Sequence, residues 1–250
     1  PKNSDVTIMS SLRANLVRDV AMSGQPLNTR GAITIVGDNQ ETLPMDLLLV
    51  LGVSPSMSGA GIKVLQESVV HTLDHLLRPE DKYAIITFDS SARVHTNWSN
   101  KSNDPSGLGV KGGGTNFGAA INETLSLLGS HGKDPSRAGI ILFLSDGQAS
   151  MPKHDSVSTI TEFGFTMHTL GLTSGAVPEH LEAMAELARG FYFDCPSFND
   201  VKKAFGSLFN YGKTVVYAAQ DLGINVSDGV TLSELVQTPQ GVKIHEGDLP

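Results

Sequence analysis

A short, unbroken apolar run followed by spaced serines is the feature that most constrains this chain. Residues 45–59 read MDLLLVLGVSPSMSG, in which an aliphatic stretch ends at Gly52. A run of this length, bounded by polar and turn residues, is typical of a strand buried on both faces of a parallel sheet. Three hydroxyls follow where such a strand would turn into a helix, on Ser54, Ser56 and Ser58. In open α/β sheets, ligands bind at this carboxyl end of the strands.

The middle of the chain alternates between strand and helix patterns. Further β-type runs occur at 83–88, 93–96, 139–144, 165–170 and 191–193. Apolar residues recur at helical spacing over 62–77, 117–128, 179–189 and 198–209. Strands that alternate with helices predict βαβ units, and hence an α/β domain with a mostly parallel sheet and helices on both faces.

Both ends of the chain carry β signals instead. Short segments rich in β-branched residues lie at 6–9, 14–17, 32–36, 214–218, 222–226 and 242–245. Because neither end has enough strands to bury a face alone, we expect the two ends to pack together as one small β-sandwich. The predicted organisation is therefore an α/β domain over residues 45–212, inserted into a β-sandwich built from residues 1–44 and 213–250.

Three loops in this order resemble those of the von Willebrand factor A domain. The family pattern Asp-x-Ser-x-Ser matches residues 52–56, and two later loops, 112–116 (GGGTN) and 144–147 (LSDG), match as well. The resemblance covers roughly residues 45–210. It implies a Rossmann-like fold, a non-enzymatic role in protein interaction, and a metal-ion-dependent adhesion site that holds Mg²⁺. The segment after the last helix, VVYAAQDL at 215–222, is also similar to plant RING-finger proteins that contain this domain.

The resemblance also implies which side chains would hold the cation. The ligand set carried over from the family is Ser54, Ser56, Thr115 and Asp146. The family's first aspartate, however, is Gly52 here, which leaves one of two carboxylates. Asp46 is no substitute, because six strand residues at ~3.3 Å each place it about 20 Å away. Since Mg²⁺ prefers charged oxygen ligands, we expect weak or no binding, and tighter binding after Gly52→Asp.

The same loops predict where a partner docks. We expect a protein partner on the carboxyl-end face of the sheet, because loops on a rigid scaffold carry function. With a bound cation, an Asp or Glu of the partner would complete the coordination shell. Without it, the charge of Asp146 would repel an acid and favour a Lys or Arg.

Two other functions compete with this reading. His71 and His75 lie at i, i+4 on one predicted helix, close to the pattern of some zinc peptidases, so a metal-dependent hydrolase using them with Asp146 is one alternative. A structural unit that associates with its own copies is the other. Cys195, between Asp194 and a proline, is in a poor setting for a reactive thiolate, which leaves little basis for an enzyme.

Composition excludes some partners and suggests a compartment. The net charge is −8 and the densest basic spot is Lys202-Lys203, so no basic stripe for nucleic acid is present. No apolar run reaches the ~18–20 residues that a membrane-spanning helix needs. A single cysteine, Cys195, rules out an internal disulfide and favours a reducing, cytoplasmic location.

Overall fold

The computed structural model describes residues 10–16, 29–37, 43–100, 107–145, 149–172, 177–195, 197–213, 234–238 and 241–247. The chain divides into two compact units, of which one is Thr42–Ala218 and the other combines Pro1–Glu41 with Ala219–Pro250. The larger unit contains the apolar run and the serines, so it carries the candidate site.

The described strands and helices follow one another in a βα alternation through the larger unit. The strands are β1 (Ser10–Leu16), β2 (Thr29–Gly37), β3 (Met45–Gly52), β4 (Lys82–Phe88), β5 (Ala92–Ser99), β6 (Ala138–Ser145), β7 (Phe165–Leu172), β8 (Tyr192–Cys195), β9 (Glu234–Thr238) and β10 (Gly241–Gly247). The α-helices are α1 (Ala60–His71), α2 (Phe117–His131), α3 (His154–Ser158), α4 (Pro178–Leu187) and α5 (Phe198–Lys213).

The larger unit is built on a six-stranded sheet in the order β5-β4-β3-β6-β7-β8. Four neighbouring pairs are parallel, whereas β5 runs antiparallel to β4 at one edge. The apolar run forms β3 at the centre, where Leu47 lies opposite Tyr83 of β4 and Ile140 of β6. The predicted fold class, a mostly parallel Rossmann-like sheet with helices, is confirmed.

Both faces of this sheet are covered by helices. Leu47, Leu49 and Leu51 pack with residues of α1 and α5 in one apolar cluster. Leu48 and Val50, which point to the other face, pack with residues of α2 and α4 in a second cluster. Each fully buried aliphatic side chain contributes about 1.5–3 kcal/mol, so the run of β3 anchors both layers at once.

The helices differ from the predicted ones in two places. The helix predicted over 62–77 ends at His71 as α1 and continues as a π-helical turn, Thr72–Leu76, before extended backbone at Leu77. The short helix α3 and the 3-10 helix Thr159–Phe163 were not predicted, because this polar segment lacks helical periodicity. Among the described residues, no helix is both long and apolar enough to cross a lipid bilayer.

The smaller unit contains a four-stranded antiparallel sheet in the order β1-β2-β10-β9. Ile33 of β2 lies opposite Val242 of β10, so strands from the two ends of the chain share one sheet. The strand predicted at 14–17 overlaps β1, and those at 32–36 and 242–245 lie within β2 and β10. The strands predicted at 6–9, 214–218 and 222–226 lie outside the described residues, and the β-sandwich therefore stays a prediction.

Candidate functional site

The loops after β3 and β4 meet the segment that precedes α2. The backbone N–H of Lys111 donates to the carbonyl oxygen of Val53 at 3.0 Å, which ties this segment to the serine loop. The N–H of Asn116 donates to the carbonyl oxygen of Asp89 at 2.8 Å, which ties it to the loop after β4. Because β3 and β4 are parallel, both loops lie at the carboxyl end of the sheet. Two of the three loops singled out from the sequence are thus brought together there.

The serine loop holds two of the predicted ligands in contact. The hydroxyl oxygens of Ser54 and Ser56 lie 2.8 Å apart, within hydrogen-bond distance. Ser54 is buried, whereas Ser56 is exposed in the short 3-10 helix Pro55–Met57. The buried side chain of Met57 anchors this turn to the core, so the pair of hydroxyls sits on a fixed backbone.

Thr115, the third predicted ligand, lies in a cleft at the start of α2. The cleft has a volume of about 380 Å³ and is lined by Ser90, Gly114, Thr115, Asn116, Phe117 and Ser150. The side-chain oxygen of Asn116 caps α2 by accepting from the N–H of Ala119 at 3.0 Å. The cleft is therefore lined by hydroxyl-bearing residues from the loop after β4 (Ser90), from the position before the cap of α2 (Thr115) and from the segment after β6 (Ser150).

Asp146, the fourth predicted ligand, lies outside the described residues. Its neighbour Ser145 is the last residue of β6, at the carboxyl end of the sheet. Ser150, the second described residue after the gap at 146–148, lines the same cleft as Thr115. Where the carboxylate of Asp146 lies relative to the hydroxyls stays a prediction.

Gly52 lies at the end of β3 in tight surroundings. A Cβ atom built on Gly52 would lie 3.1 Å from the carbonyl oxygen of Leu144 and 3.4 Å from Cζ of Phe88. Such contacts are closer than ordinary van der Waals distances, so a side chain here requires its neighbours to move by a few tenths of an ångström. An aspartate at this position would fit only with that adjustment.

Asp89 is a buried carboxylate close to the site, and the sequence analysis did not predict its position. It is 4 % exposed, and its Oδ1 atom accepts from the backbone N–H of Ser91 at 2.8 Å and from the Ser91 hydroxyl at 3.1 Å. The backbone hydrogen bond from Ser91 is the main cause that lowers the pKa of Asp89. Its position directly after a buried strand was the available signal, the same one that identified the serines.

The described side chains do not by themselves fit a tight Mg²⁺ site. Ser54, Ser56 and Thr115 offer neutral hydroxyls, Gly52 offers no donor, and Asp89 is engaged by Ser91. Within the described ranges, no group of three or more His, Cys, Asp or Glu is arranged to hold a metal ion. Because a hard divalent cation prefers carboxylate oxygens, this donor set lacks the charge that such an ion needs.

Asp46 lies at the opposite end of β3, as expected. Its two carboxylate oxygens contact Nε of Arg137 and Nε2 of His131, each at 2.7 Å. The Arg137 guanidinium also donates to the backbone carbonyl of Met45 at 3.0 Å. Asp46 is therefore part of a structural network at the amino end of the sheet.

His71 and His75 lie on the surface of α1 and the π-helical turn that follows it. Their ring centroids are 5.0 Å apart, and both residues are exposed. They border a surface depression of about 370 Å³ together with Glu67. The helix α1 begins after the carboxyl end of β3, and its 12 residues span about 18 Å. The two histidines are thus carried away from the serine loop, which argues against a shared hydrolytic site.

Cys195 is buried at the end of β8. Burial is the main cause that raises the pKa of its thiol to about 11, and the negative charges of Asp200 and Asp194 raise it further. The thiol is therefore protonated at neutral pH, as expected from its sequence context, and does not supply a nucleophile.

A family comparison matches the von Willebrand factor type A domain to residues 46–207. A curated relative, an uncharacterized protein of Synechocystis sp., is 27 % identical over 197 residues, which cover 74 % of this chain and 46 % of the relative. The chain thus spans less than half of that relative's length.

Solved structures share the fold at low sequence identity. A von Willebrand factor type A protein from Catenulispora acidiphila superposes with a TM-score of 0.67 at 13 % identity, covering 96 % of this chain and 62 % of that one. Proximal thread matrix protein 1 from the mussel byssus, in a form with a zinc-occupied MIDAS motif, gives a TM-score of 0.57 at 16 % identity, covering 69 % of this chain and 47 % of that one.

Proposed function

Because the chain belongs to the von Willebrand factor type A domain family, we propose that it is a non-enzymatic module that docks a protein partner on the carboxyl-end face of its six-stranded sheet. The observation that carries this proposal is the junction of the loops after β3 and β4 with the segment before α2, held by the Lys111–Val53 and Asn116–Asp89 hydrogen bonds. Loops fixed in this way present a preformed surface, and a preformed surface loses little entropy when a partner binds.

The metal site of this face is, in our proposal, a weakened one. Its ligand set would be Ser54, Ser56, Thr115 and Asp146, with Gly52 in place of a second carboxylate. The zinc-occupied motif of the mussel protein supports a cation at this place in the fold, but the described donors here are neutral hydroxyls. Mg²⁺ therefore binds weakly or not at all, and the face functions without depending on it.

We also propose a cellular compartment for the module and an arrangement for its β-rich ends. The single cysteine supports a reducing, cytoplasmic location. The β-rich ends would form a second layer on the described four-stranded sheet and complete a sandwich.

A substitution at Ser56 tests the docking face. Ser56 is exposed, so Ser56→Arg places a bulky charge on the face without disturbing the core. The matched control is Ser126→Arg, which alters an exposed serine on the surface of α2. Peptides selected from a displayed library on the unmodified protein should mostly lose binding to Ser56→Arg and keep it for Ser126→Arg. Equal binding to both variants, with the fold intact by circular dichroism, would move the docking surface elsewhere.

A further inference from the structure

Three basic residues near the loop after β4 and the segment before α2 form what we call the basic cluster: Arg93, His95 and Lys111. Arg93 and His95 belong to the edge strand β5, and Lys111 belongs to the segment before α2. Neither the motifs of the family resemblance nor the predicted metal ligands include them. They therefore need a separate explanation.

An irregularity in β5 sets the position of His95 within the cluster. Ile85 lies opposite Thr96 and Ile86 opposite Val94, so His95 is the additional residue of a β-bulge. A bulge bends an edge strand and redirects the side chain at that position. His95 lies against the segment that leads to Lys111, since a Cβ atom built on Gly107 would be 3.0 Å from Cε1 of His95.

The basic cluster is continuous with the docking face. The N–H of Lys111 donates to the carbonyl oxygen of Val53, the residue before Ser54. Arg93 reaches the loop after β4, where its Nη2 atom lies 3.9 Å from Oδ2 of Asp89. The basic cluster therefore adjoins two of the loops that form the docking face.

The positive charges of the cluster are only partly neutralised within the described structure. The contact of Arg93 with Asp89 is at the outer limit of an ion pair, and 40 % of the Arg93 side chain is exposed. Asp89 also accepts two hydrogen bonds from Ser91, and Lys111 is exposed. Burial, followed by the charges of Lys111 and Arg93, lowers the pKa of His95. Arg93 and Lys111 are therefore the members of the cluster that are expected to bind an anionic partner.

We propose that the basic cluster receives an acidic segment of the docked partner directly, without a bridging cation. The inference deepens the proposed function and rests on it, because it assigns the partner's chemistry at the same face. Nη2 of Arg93 is buried, but the exposed part of the guanidinium can donate to a carboxylate, and the exposed ammonium of Lys111 adds a second contact. Fixed positive charges would then bind the partner's carboxylate in place of a metal ion.

The charge of Asp146 alone predicts a basic partner when the metal is absent, whereas the basic cluster predicts an acidic one. The first prediction did not include the positive charges of Arg93 and Lys111, which lie beside the same loops. The net charge of −8 does not prevent the contact, since at physiological salt charges farther apart than about 8 Å are screened. Local charges therefore decide which side chain binds.

A labelled peptide of alternating glutamate and glycine tests the inference by fluorescence anisotropy in the presence of EDTA. We expect binding that weakens as salt is raised and is absent for the same peptide with glutamine in place of glutamate. The double variant Arg93→Gln, Lys111→Gln should weaken binding roughly fivefold or more at low salt. The control variant Lys82→Gln, Lys133→Gln also removes two positive charges, here from exposed lysines outside the basic cluster, of which Lys82 lies at the amino end of the sheet, and should leave the affinity within about twofold.

A second measurement locates the contact. Carbodiimide coupling joins a lysine amine to a peptide glutamate only where the two lie in contact, so mass spectrometry should find Lys111 as the dominant cross-link. Cross-links spread evenly over the exposed lysines would overturn the inference, as would equal loss in the two double variants or no binding at all. A single-stranded oligonucleotide that binds more tightly through Arg93 and Lys111 would overturn the assignment to an acidic protein segment.

The outcomes separate this inference from the proposed function. If Ser56→Arg abolishes docking of the library-selected peptides while the basic-cluster variant changes nothing, the inference fails and the docking face stands. If the acidic peptide depends on Arg93 and Lys111 but the selected peptides ignore Ser56→Arg, the proposed docking face fails and the basic cluster stands as a separate surface.

Discussion

At the scale of single residues, Gly52 is the position at which the proposed metal site differs from the family pattern. It ends the central strand where the family has an aspartate, so the serine loop begins with no carboxylate. Its surroundings are also tight, with Leu144 and Phe88 beside the position that a side chain would occupy. We expect an aspartate introduced here to change both metal affinity and packing, and the two effects need separate measurement.

We expect Gly52→Asp to tighten Mg²⁺ binding at least tenfold in calorimetric titration, because loss of even an indirect ligand typically weakens affinity ~10–100-fold. Gly52→Asn is the matched control, since it has nearly the same shape without the charge. Both variants should unfold at lower urea concentration than the unmodified chain, because each must displace the Leu144 carbonyl. Equal Mg²⁺ affinities for all three proteins would mean that the loops do not form a cation site.

His168 gives the core a pH dependence. It lies on β7, is 1 % exposed, and its Nδ1 atom accepts from the backbone N–H of Phe191 at 3.2 Å. Burial lowers the pKa of His168 to about 4. In the unfolded chain the same imidazole takes up a proton near its ordinary pKa of ~6.5, so the unfolded state binds more protons between these values.

The free energy of unfolding should therefore fall as the pH drops from about 6.5 to about 4, by up to about 3 kcal/mol from this group. Urea titrations at several pH values measure it. His168→Gln, which cannot titrate, should flatten the dependence over this range, whereas His154→Gln, a change at an exposed histidine, should leave it unchanged. A His168→Gln protein with the full acid sensitivity would assign it to other groups.

Sequence reasoning identified candidate ligands but not the residues that surround them. The order of the loops in the family pattern was enough to predict Ser54, Ser56 and Thr115, because each follows a strand or precedes a helix. Asp46 meets partners 85 and 91 residues away, and no local pattern encodes such contacts. Lys111 was missed for the same reason, because its place beside the serine loop depends on a hydrogen bond to the distant Val53.

At the scale of elements, the strands buried on both faces were the easiest to predict. β3, β4 and β6 are unbroken apolar runs, so their bounds agree with the sequence patterns within a few residues. α3 and the 3-10 helix after it were missed, because the segment HDSVSTITEF buries only Val157 and Ile160 and shows no periodic apolar face. β9, five residues with Glu and Gln among them, carries too weak a β signal to stand out.

The amino end of the sheet contains a buried charge network in addition to its apolar packing. Asp46 at the start of β3 links the end of α2, through His131, to the residue before β6, Arg137. Both partners are largely buried, each with 12 % of the side chain exposed. Removing one member leaves the others desolvated without a counter-charge, which is the costly way to break a buried ion pair.

Asp46→Asn should lower the free energy of unfolding by about 3 kcal/mol or more, measured by urea titration. The control is Lys203→Gln, which breaks the pair with Asp200 at a lysine that is 78 % exposed, and should change stability by less than about 0.5 kcal/mol. Similar small losses in both variants would mean that solvent or neighbouring groups compensate the network at Asp46.

At the scale of the whole molecule, the two units are connected differently. The larger unit is a continuous stretch of chain, and the described members of its two apolar clusters all lie within residues 45–208. The smaller unit joins both ends of the chain, because β2 is paired with β1 on one side and with β10 on the other. The first should therefore fold without the second, whereas the smaller unit needs both ends.

Truncation tests this difference. Residues 1–218 keep β1 but lack β10, the other strand that pairs with β2. The free edge of β2 then exposes a row of unpaired backbone N–H and C=O groups, which favours association with other copies. Sedimentation velocity should find residues 1–218 aggregated and residues 42–218 monomeric, and residues 42–218 should also unfold in a single cooperative urea transition. The shorter fragment is the control, because it lacks both ends and leaves no orphaned strand. If residues 1–218 are as monomeric and as stable as residues 42–218, the N-terminal strands do not depend on β10. The pairing of the two ends would then contribute nothing to the solubility of the chain.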